Sequence, residues 1–305
     1  MSDNAETKSI ADNLIQPFQM AEAGVRGRVV RLGAELDAIL KRHEYPDTVA
    51  RQLGEALVLA AMLGGALKFE GIFTVQTKGD GAIGMIAADM VTPGNLRGYA
   101  AYDAEKLAKA AGLSELDTIS RYLGNGYVAF TIDATDSDGR YQGIVELEGD
   151  SLASCMEDYF SKSEQIETRL QVAVEKTGGN WRAGGLMIQR LPNTSRLADD
   201  IEQDDENWRN AEALALTVTA DELTHTRLRS SELLYRLFHE DGVWLYDTQA
   251  LQDKCSCSEE RVLNTLKSFS TENLQEMVEN DVIGVDCQFC NARYELSVED
   301  VEAAR

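Results

Sequence analysis

The spacing of apolar residues predicts alternating helices and strands over roughly the first 190 residues. Residues 25–32 have the composition of a short strand, whereas residues 34–43 and 151–161 carry apolar side chains at helical spacing. Pro46 is suited to the first turn of a longer helix. The apolar positions of that predicted helix are Val49, Leu53, Leu57 and Leu67.

The strand-like segments are separated by turns that are too short for a parallel crossover. Glycine-containing turns at 79–81, 92–95, 137–139 and 178–180 separate neighbouring segments, and such turns join antiparallel strands. The predicted strands are residues 71–78, 82–91, 96–102, 127–133, 141–148, 166–176 and 181–191. We therefore expect an α+β fold with packed helices and an antiparallel sheet, not a doubly wound parallel one.

The composition changes after Pro192, where we place a domain boundary. Residues 199–206 carry six acids, and a run of this kind is interpreted most simply as a solvated face. The final segment, from residue 243 onward, has about 60 residues with few large apolar side chains, and such a segment rarely folds without a staple. The predicted parts are an α+β core domain at 1–192, a helical connector at 193–242 and a C-terminal four-cysteine domain at 243–305.

The connector carries several helix signals. Apolar residues share a face from Trp208 onward, and Thr219 and Glu222 match a capping box. An apolar helix opens at Ser231 and is closed by Gly242. We expect two leucines of this helix, three residues apart, to face a packed surface: Leu234 and Leu237.

The overall charge limits the partners of the protein. Its 305 residues carry 29 Lys+Arg against 52 Asp+Glu, a formal net charge of -23. Such a surface repels phosphate groups, so we expect neither nucleic acid nor membrane as a partner. The polar N-terminus has no apolar segment typical of a secretory signal. We expect a cytoplasmic protein, in which thiols stay reduced.

Cysteine placement is the most informative feature of the sequence. Four of the five cysteines form a C-x-C and a C-x-x-C pair, with 29 residues between the pairs. Two such pairs close a tetrahedral four-sulfur site that suits zinc, and the second resembles a zinc knuckle. Four cysteines would fill all four coordination positions and leave none for water or a substrate, so we expect no enzyme activity from this site. The predicted ligands are Cys255, Cys257, Cys287 and Cys290, with one Zn²⁺ per reduced monomer.

Other motifs favour plainer interpretations. A thioredoxin-like role for Cys287 and Cys290 requires the pair to open a helix, whereas a strand-like segment follows it. The G-x-G-x-x-G at 79–84 precedes a strand-like segment rather than the helix of a dinucleotide site, so we interpret it as a hairpin turn. The lone Cys155 is expected to be a small buried side chain.

The sequence resembles the redox-regulated 33-kilodalton heat-shock chaperone family of bacteria. The cysteine pairs match that family in spacing and in position near the C-terminus. The similarity extends to segments across nearly the whole chain: residues 154–160, 163–165, 168–170, 183–186 and 234–240. The acidic run and residues 1–12 are individual to this chain.

This resemblance implies an ATP-independent holdase of the stress response that binds unfolding client proteins. In that family the reduced, zinc-bound form is inactive. Oxidation releases zinc and forms disulfides, which by implication are Cys255–Cys257 and Cys287–Cys290. The zinc domain and the connector then unfold, and the active form is a homodimer. The alternative function is a constitutive zinc-stabilised interaction module without redox switching.

Overall fold

Helices and strands alternate along the chain in the computed structural model, which describes residues 12–66, 70–111, 118–135, 139–192 and 197–305. The elements up to residue 192 are β1 (Leu14–Met20), β2 (Val25–Leu32), α1 (Ala34–Lys41), α2 (Asp47–Gly64), β3 (Gly71–Gly79), β4 (Ile83–Val91), β5 (Asn95–Tyr102), α3 (Ala104–Ala111), α4 (Ile119–Leu123), β6 (Gly126–Ala134), β7 (Arg140–Glu146), α5 (Leu152–Tyr159), β8 (Thr168–Thr177) and β9 (Asn180–Arg190). Those that follow are α6 (Ala198–Ala215), α7 (Ala220–Thr224), α8 (Ser230–Phe238), β10 (Val243–Leu245), β11 (Gln249–Ala250), β12 (Gln252–Asp253), α9 (Glu259–Leu266), α10 (Thr271–Glu276), β13 (Ile283–Asp286), β14 (Arg293–Leu296) and α11 (Val298–Ala303).

Two six-stranded sheets form the framework of the first unit, Met1–Asp253. Sheet 1 has the order β10–β1–β2–β9–β8, with β11 also paired to β1, and sheet 2 has the order β12–β5–β4–β3–β6–β7. Consecutive strands pair antiparallel, as β3–β4, β4–β5, β6–β7 and β8–β9 show. These pairings confirm the predicted hairpins and the α+β class.

Helix α2 lies between the two sheets. It contacts β2, β8 and β9 of sheet 1 and β3, β4 and β5 of sheet 2. Three of the predicted apolar positions, Val49, Leu53 and Leu57, are fully buried. The half of the helix from Ala56 to Gly64 is apolar and buried on all sides, as a helix segment with no polar face requires, and the central position provides that burial. Pro46 is the N-cap, one position before the first turn in which it was predicted, and the predicted end at Leu67 lies outside the described residues.

The connector helices α6, α7 and α8 pack on the outer face of sheet 1. Neighbouring side chains of β2 point to opposite faces, so Val30 belongs to the core around α2 whereas Val29 packs with the connector. Trp208 is 3% exposed, and Leu234 and Leu237 are equally well covered. The predicted packed face and the predicted capping box of α7 are both confirmed.

Part of the acidic run is paired rather than solvated. The guanidinium of Arg190, at the end of β9, forms ion pairs with Asp204 and Asp205 of α6 and with Glu167. The interpretation of the run as a solvated face is therefore wrong for Asp204, whereas Asp205 is paired but still about half exposed. The tertiary structure brings Arg190 of β9 beside these two residues, and the residue pattern of the run itself gives no sign of this cation.

The contacts divide the chain once, after Asp253. Residues 243–253, which we predicted to begin the C-terminal domain, pair with the first unit instead, because β10 adds to β1 and β12 adds to β5. The division into core, connector and C-terminal domain stays a prediction. Of the predicted segments, residues 1–11, 137–138 and 193–196 lie outside the described residues.

The glycine motif at 79–84 forms a hairpin turn, as predicted. Strand β3 ends at Gly79, and β4 begins at Ile83 and pairs antiparallel with it. The described helices include none that is long and apolar enough to span a membrane.

The second unit, Lys254–Arg305, consists of the hairpin β13–β14 and helices α9, α10 and α11. It has a small core of its own. The fully covered hydrophobic residues of that core are Leu266, Leu274, Ile283, Leu296 and Val301.

Candidate metal centre

The first cysteine pair lies in the extended segment between β12 and α9. Ser258 is the N-cap of α9, and its Oγ accepts a hydrogen bond from the backbone N–H of Arg261 at 3.2 Å. Cys257 therefore lies directly before the cap of this helix. The partial positive charge at a helix N-terminus favours a thiolate there.

The second pair forms the turn of the β13–β14 hairpin. The backbone N–H of Asn291 donates to the carbonyl of Cys287 at 2.8 Å, and the N–H of Cys287 donates to the carbonyl of Ala292 at 2.9 Å. Asn291 has a φ of 59°, the left-handed conformation that asparagine tolerates. The sequence motif thus forms the knuckle that it predicted, between two strands and not at the start of a helix.

The four sulfurs of the two pairs come together in one cluster. All four Sγ atoms lie within 4.8 Å of one another. The Sγ atoms of Cys255 and Cys287 are 3.8 Å apart, and those of Cys257 and Cys290 are 3.2 Å apart. A tetrahedral site with Zn–S bonds of about 2.3 Å has sulfurs about 3.8 Å apart. The cluster therefore fits a small dication that four thiolates coordinate tetrahedrally.

Tyr294, on β14, is a residue of the site that sequence reasoning missed. Its hydroxyl donates a hydrogen bond to Sγ of Cys257 at 3.1 Å. Burial raises the pKa of Cys257, but the hydrogen bonds from Tyr294 and the neighbouring thiols lower it more, to about 7. The pKa of Cys290 is raised to about 12, mainly by burial. Since nearby thiolates repel each other, the state in which all four cysteines are deprotonated requires a bound cation.

Cys155 is separate from this cluster, as predicted. It is fully buried on α5, and its Sγ donates to the carbonyl of Glu148 at 3.2 Å. Burial raises the pKa of this thiol to about 11. A neutral, covered thiol of this kind is a poor nucleophile and a poor metal ligand.

Two arginines of sheet 1, also missed from the sequence, hold the end of α7. Arg31 donates to the backbone carbonyls of Glu222, at 3.3 Å, and His225. Arg182 donates through Nε to the carbonyl of Thr224 at 2.7 Å. Carbonyls at a helix C-terminus lack partners within the helix, so the two guanidiniums satisfy them and fix the connector to the sheet.

The sequence matches the model of the family described as Hsp33 protein over residues 13–297. A protein of Caulobacter vibrioides named 33 kDa chaperonin is 41% identical over 301 residues, which cover 97% of this chain and 98% of the relative. A protein of the same name from Pseudomonas fluorescens is 38% identical over 288 residues, or 94% and 91% of the two chains.

The fold is similar to the crystal structure of the 33 kDa chaperonin (heat shock protein 33 homolog) of Thermotoga maritima. The TM-score is 0.80 at 23% sequence identity, and the match covers 96% of this chain and 97% of the other. The match to the family model extends from β1 through the cysteine cluster. The chain therefore belongs to the Hsp33 protein family.

Proposed function

We propose that this protein is a redox-regulated, ATP-independent holdase of the cytoplasm, which binds unfolding proteins and prevents their aggregation. The observation that carries the proposal is the cluster of four thiols in a unit with only a small hydrophobic core. The curated relatives are named chaperonins, which supports a chaperone role for this chain.

In the reduced state one Zn²⁺ is held by Cys255, Cys257, Cys287 and Cys290. Binding of structural zinc in small domains contributes about 10–16 kcal/mol, whereas whole domains are stable by only about 5–15 kcal/mol. A unit of about 50 residues rarely gains more than about 3–5 kcal/mol from its core. The second unit therefore depends on its metal and unfolds when the metal is lost.

Oxidation removes the ligands. Thiolates are the form that peroxide attacks, and each disulfide forms with the loss of two electrons, which reduce one peroxide to water. The proposed disulfides are Cys255–Cys257 and Cys287–Cys290. A disulfide sulfur has no charge to hold a dication, so one chemical event becomes one unfolding event.

The connector covers the surface that activation exposes. The outer face of sheet 1 buries Phe18, Met20 and Ile188 against Trp208 and Leu233 of the connector. Release of the connector would present both sets of apolar side chains to water, and such patches bind other proteins. The expected partners of this exposed face are client proteins and a second copy of the chain. Binding of the second copy would make the active form a homodimer.

The test is treatment of the reduced protein with peroxide at mild heat, followed by assays of free zinc and of light scattering from a heat-unfolding substrate. We expect zinc release and suppression of aggregation to rise together, with no need for ATP. Zinc release without suppression would support a constitutive zinc-stabilised module instead. Turnover of thiols would indicate an oxidoreductase.

A further inference from the structure

An apolar pocket of about 210 Å³ opens in the first unit. Its walls come from the C-terminal end of α2, from both sheets and from the segment that follows α5. Five aromatic rings line it, and Phe130 contacts three of the other four: Phe73, Tyr159 and Phe160. Rings that pack on one another form a rigid apolar wall, so the pocket keeps its shape without a ligand.

Two groups of opposite charge lie at the mouth of this pocket. Arg26 is exposed and donates from Nη2 to the buried amide oxygen of Gln189 at 3.2 Å, and no carboxylate among the described residues pairs with it. Glu164 accepts hydrogen bonds from the hydroxyls of Tyr141 and Tyr159. These bonds lower the pKa of Glu164, so the mouth offers both a cationic donor and an anionic acceptor.

The size and the polarity of the pocket select among ligands. A cavity of about 150 Å³ lined by apolar side chains holds one benzene ring, so this pocket accommodates one aromatic side chain. A fatty acid or another anion would meet the Glu164 carboxylate and a protein of net charge -23. A peptide segment is neutral, and it offers a carbonyl to Arg26 and an N–H to Glu164 on either side of its side chain.

We propose that this pocket anchors one aromatic side chain of an unfolded client polypeptide, with the flanking peptide groups hydrogen-bonded to Arg26 and Glu164. The proposal rests on the holdase function for its biological role. The site itself belongs to the folded first unit, so it does not depend on oxidation. It supplies a side-chain-specific contact in addition to the broad apolar face under the connector.

The first test measures binding of N-acetyl-L-tryptophanamide to the full reduced, zinc-loaded chain by ligand-observed NMR. Ala66 is exposed at the pocket, so Ala66→Trp places a bulky ring at the mouth without disturbing the core. Ala104→Trp is the matched control, because Ala104 is exposed on α3 and does not line the pocket. We expect at least tenfold weaker binding for Ala66→Trp and for Arg26→Met, and no change for Ala104→Trp. N-acetylglycinamide, which lacks a side chain, should not bind, and octanoate should not compete.

The second test compares aggregation suppression by the oxidised variants. We expect Ala66→Trp to require several times more chaperone than Ala104→Trp for equal suppression, with the same zinc release. Binding of octanoate but not of the tryptophan amide would overturn the proposal, as would full suppression by oxidised Ala66→Trp. If the oxidised wild-type chain fails to suppress aggregation, the holdase function itself fails, whatever the binding result.

Discussion

The guanidinium of Arg31, buried in β2, donates a hydrogen bond to the backbone carbonyl of His225 at the end of α7. Arg182 of β9 makes the equivalent bond to Thr224 and is paired with Asp12 at 2.6 Å. Two charged donors from the sheet thus complete a five-residue helix that would be unstable by itself. The connector is held by specific polar contacts in addition to its apolar face.

We predict that Arg182→Met loosens α7. Hydrogen bonds from charged groups contribute about 1.5–3 kcal/mol each, and the variant loses one to Thr224 and leaves Asp12 with a weaker partner. Hydrogen exchange of the α7 amides should accelerate, and the reduced protein should suppress aggregation in part. Arg209→Met is the control, because Arg209 is exposed and bonds only to Asp205 of its own helix among the contacts described. Equal exchange rates in the two variants would contradict the role of Arg182.

The second prediction concerns the apolar face of α8. Leu237 is 3% exposed whereas Tyr235 on the same helix is 70% exposed. Leu237→Glu would bury an unpaired charge at a cost of about 3 kcal/mol or more, so it should free the connector while zinc stays bound. We expect the reduced variant to suppress aggregation without oxidant, and Tyr235→Glu to behave like wild type. A variant that keeps zinc, loses connector helicity and fails to suppress would show that the connector is not the switch.

The third prediction is the metal content. Freshly reduced protein should contain about one zinc per chain, and Cys287→Ser should contain far less, since a hydroxyl is a poor zinc ligand. Cys155→Ser serves as the control, because that thiol is buried on α5 away from the cluster. It should retain both zinc and oxidative activation. Metal analysis of the three proteins decides the matter, and well under one zinc in wild type would refute the site.

The fourth prediction concerns Tyr294. Tyr294→Phe keeps the ring and removes the hydrogen bond to Sγ of Cys257. Removal of a group that is hydrogen-bonded to a metal ligand typically lowers the metal affinity by about 10–100-fold. We expect zinc affinity to fall by about tenfold and peroxide to release zinc sooner, as measured by competition with a chelating dye. An unchanged affinity would mean that the hydroxyl has no effect on the ligand.

The fifth prediction is a pH dependence of stability that Glu55 of α2 causes. Burial raises the pKa of Glu55 from 4.5 to about 7, although hydrogen bonds from the backbone N–H groups of Ala153 and Leu152 oppose the shift. An acid with a raised pKa binds its proton more tightly in the folded state, so its stabilising effect is full below pH 4.5 and is lost as the pH rises to 7.

Glu55→Gln should therefore flatten the stability profile. The full shift corresponds to about 3 kcal/mol, and the side chain keeps some contact with water, so we expect a relative gain of about 2 kcal/mol for the variant between about pH 5 and pH 8. Denaturant unfolding at several pH values measures it. The exposed Glu105→Gln is the control, and profiles of wild type and Glu55→Gln that run parallel would rule out this effect.

The sequence alone predicted the elements that depend on local spacing. Residues 25–32 form a strand, and Pro46 opens α2, because side-chain periodicity and proline geometry act within a few residues. The hairpins follow from short turns for the same reason. The two cysteine pairs are also local motifs, and Asn291 beside them is of a residue type that tolerates the left-handed conformation it adopts.

Only the tertiary structure decided which distant groups meet. It places Tyr294 beside Cys257, in the cluster where the two cysteine pairs meet as their spacing predicted. It pairs Arg190 with Asp204, which the helical pattern of α6 does not reveal, and it joins residues 243–253 to the first unit. These contacts depend on how sheets and helices pack, and packing is set by the whole buried surface rather than by any local stretch of residues.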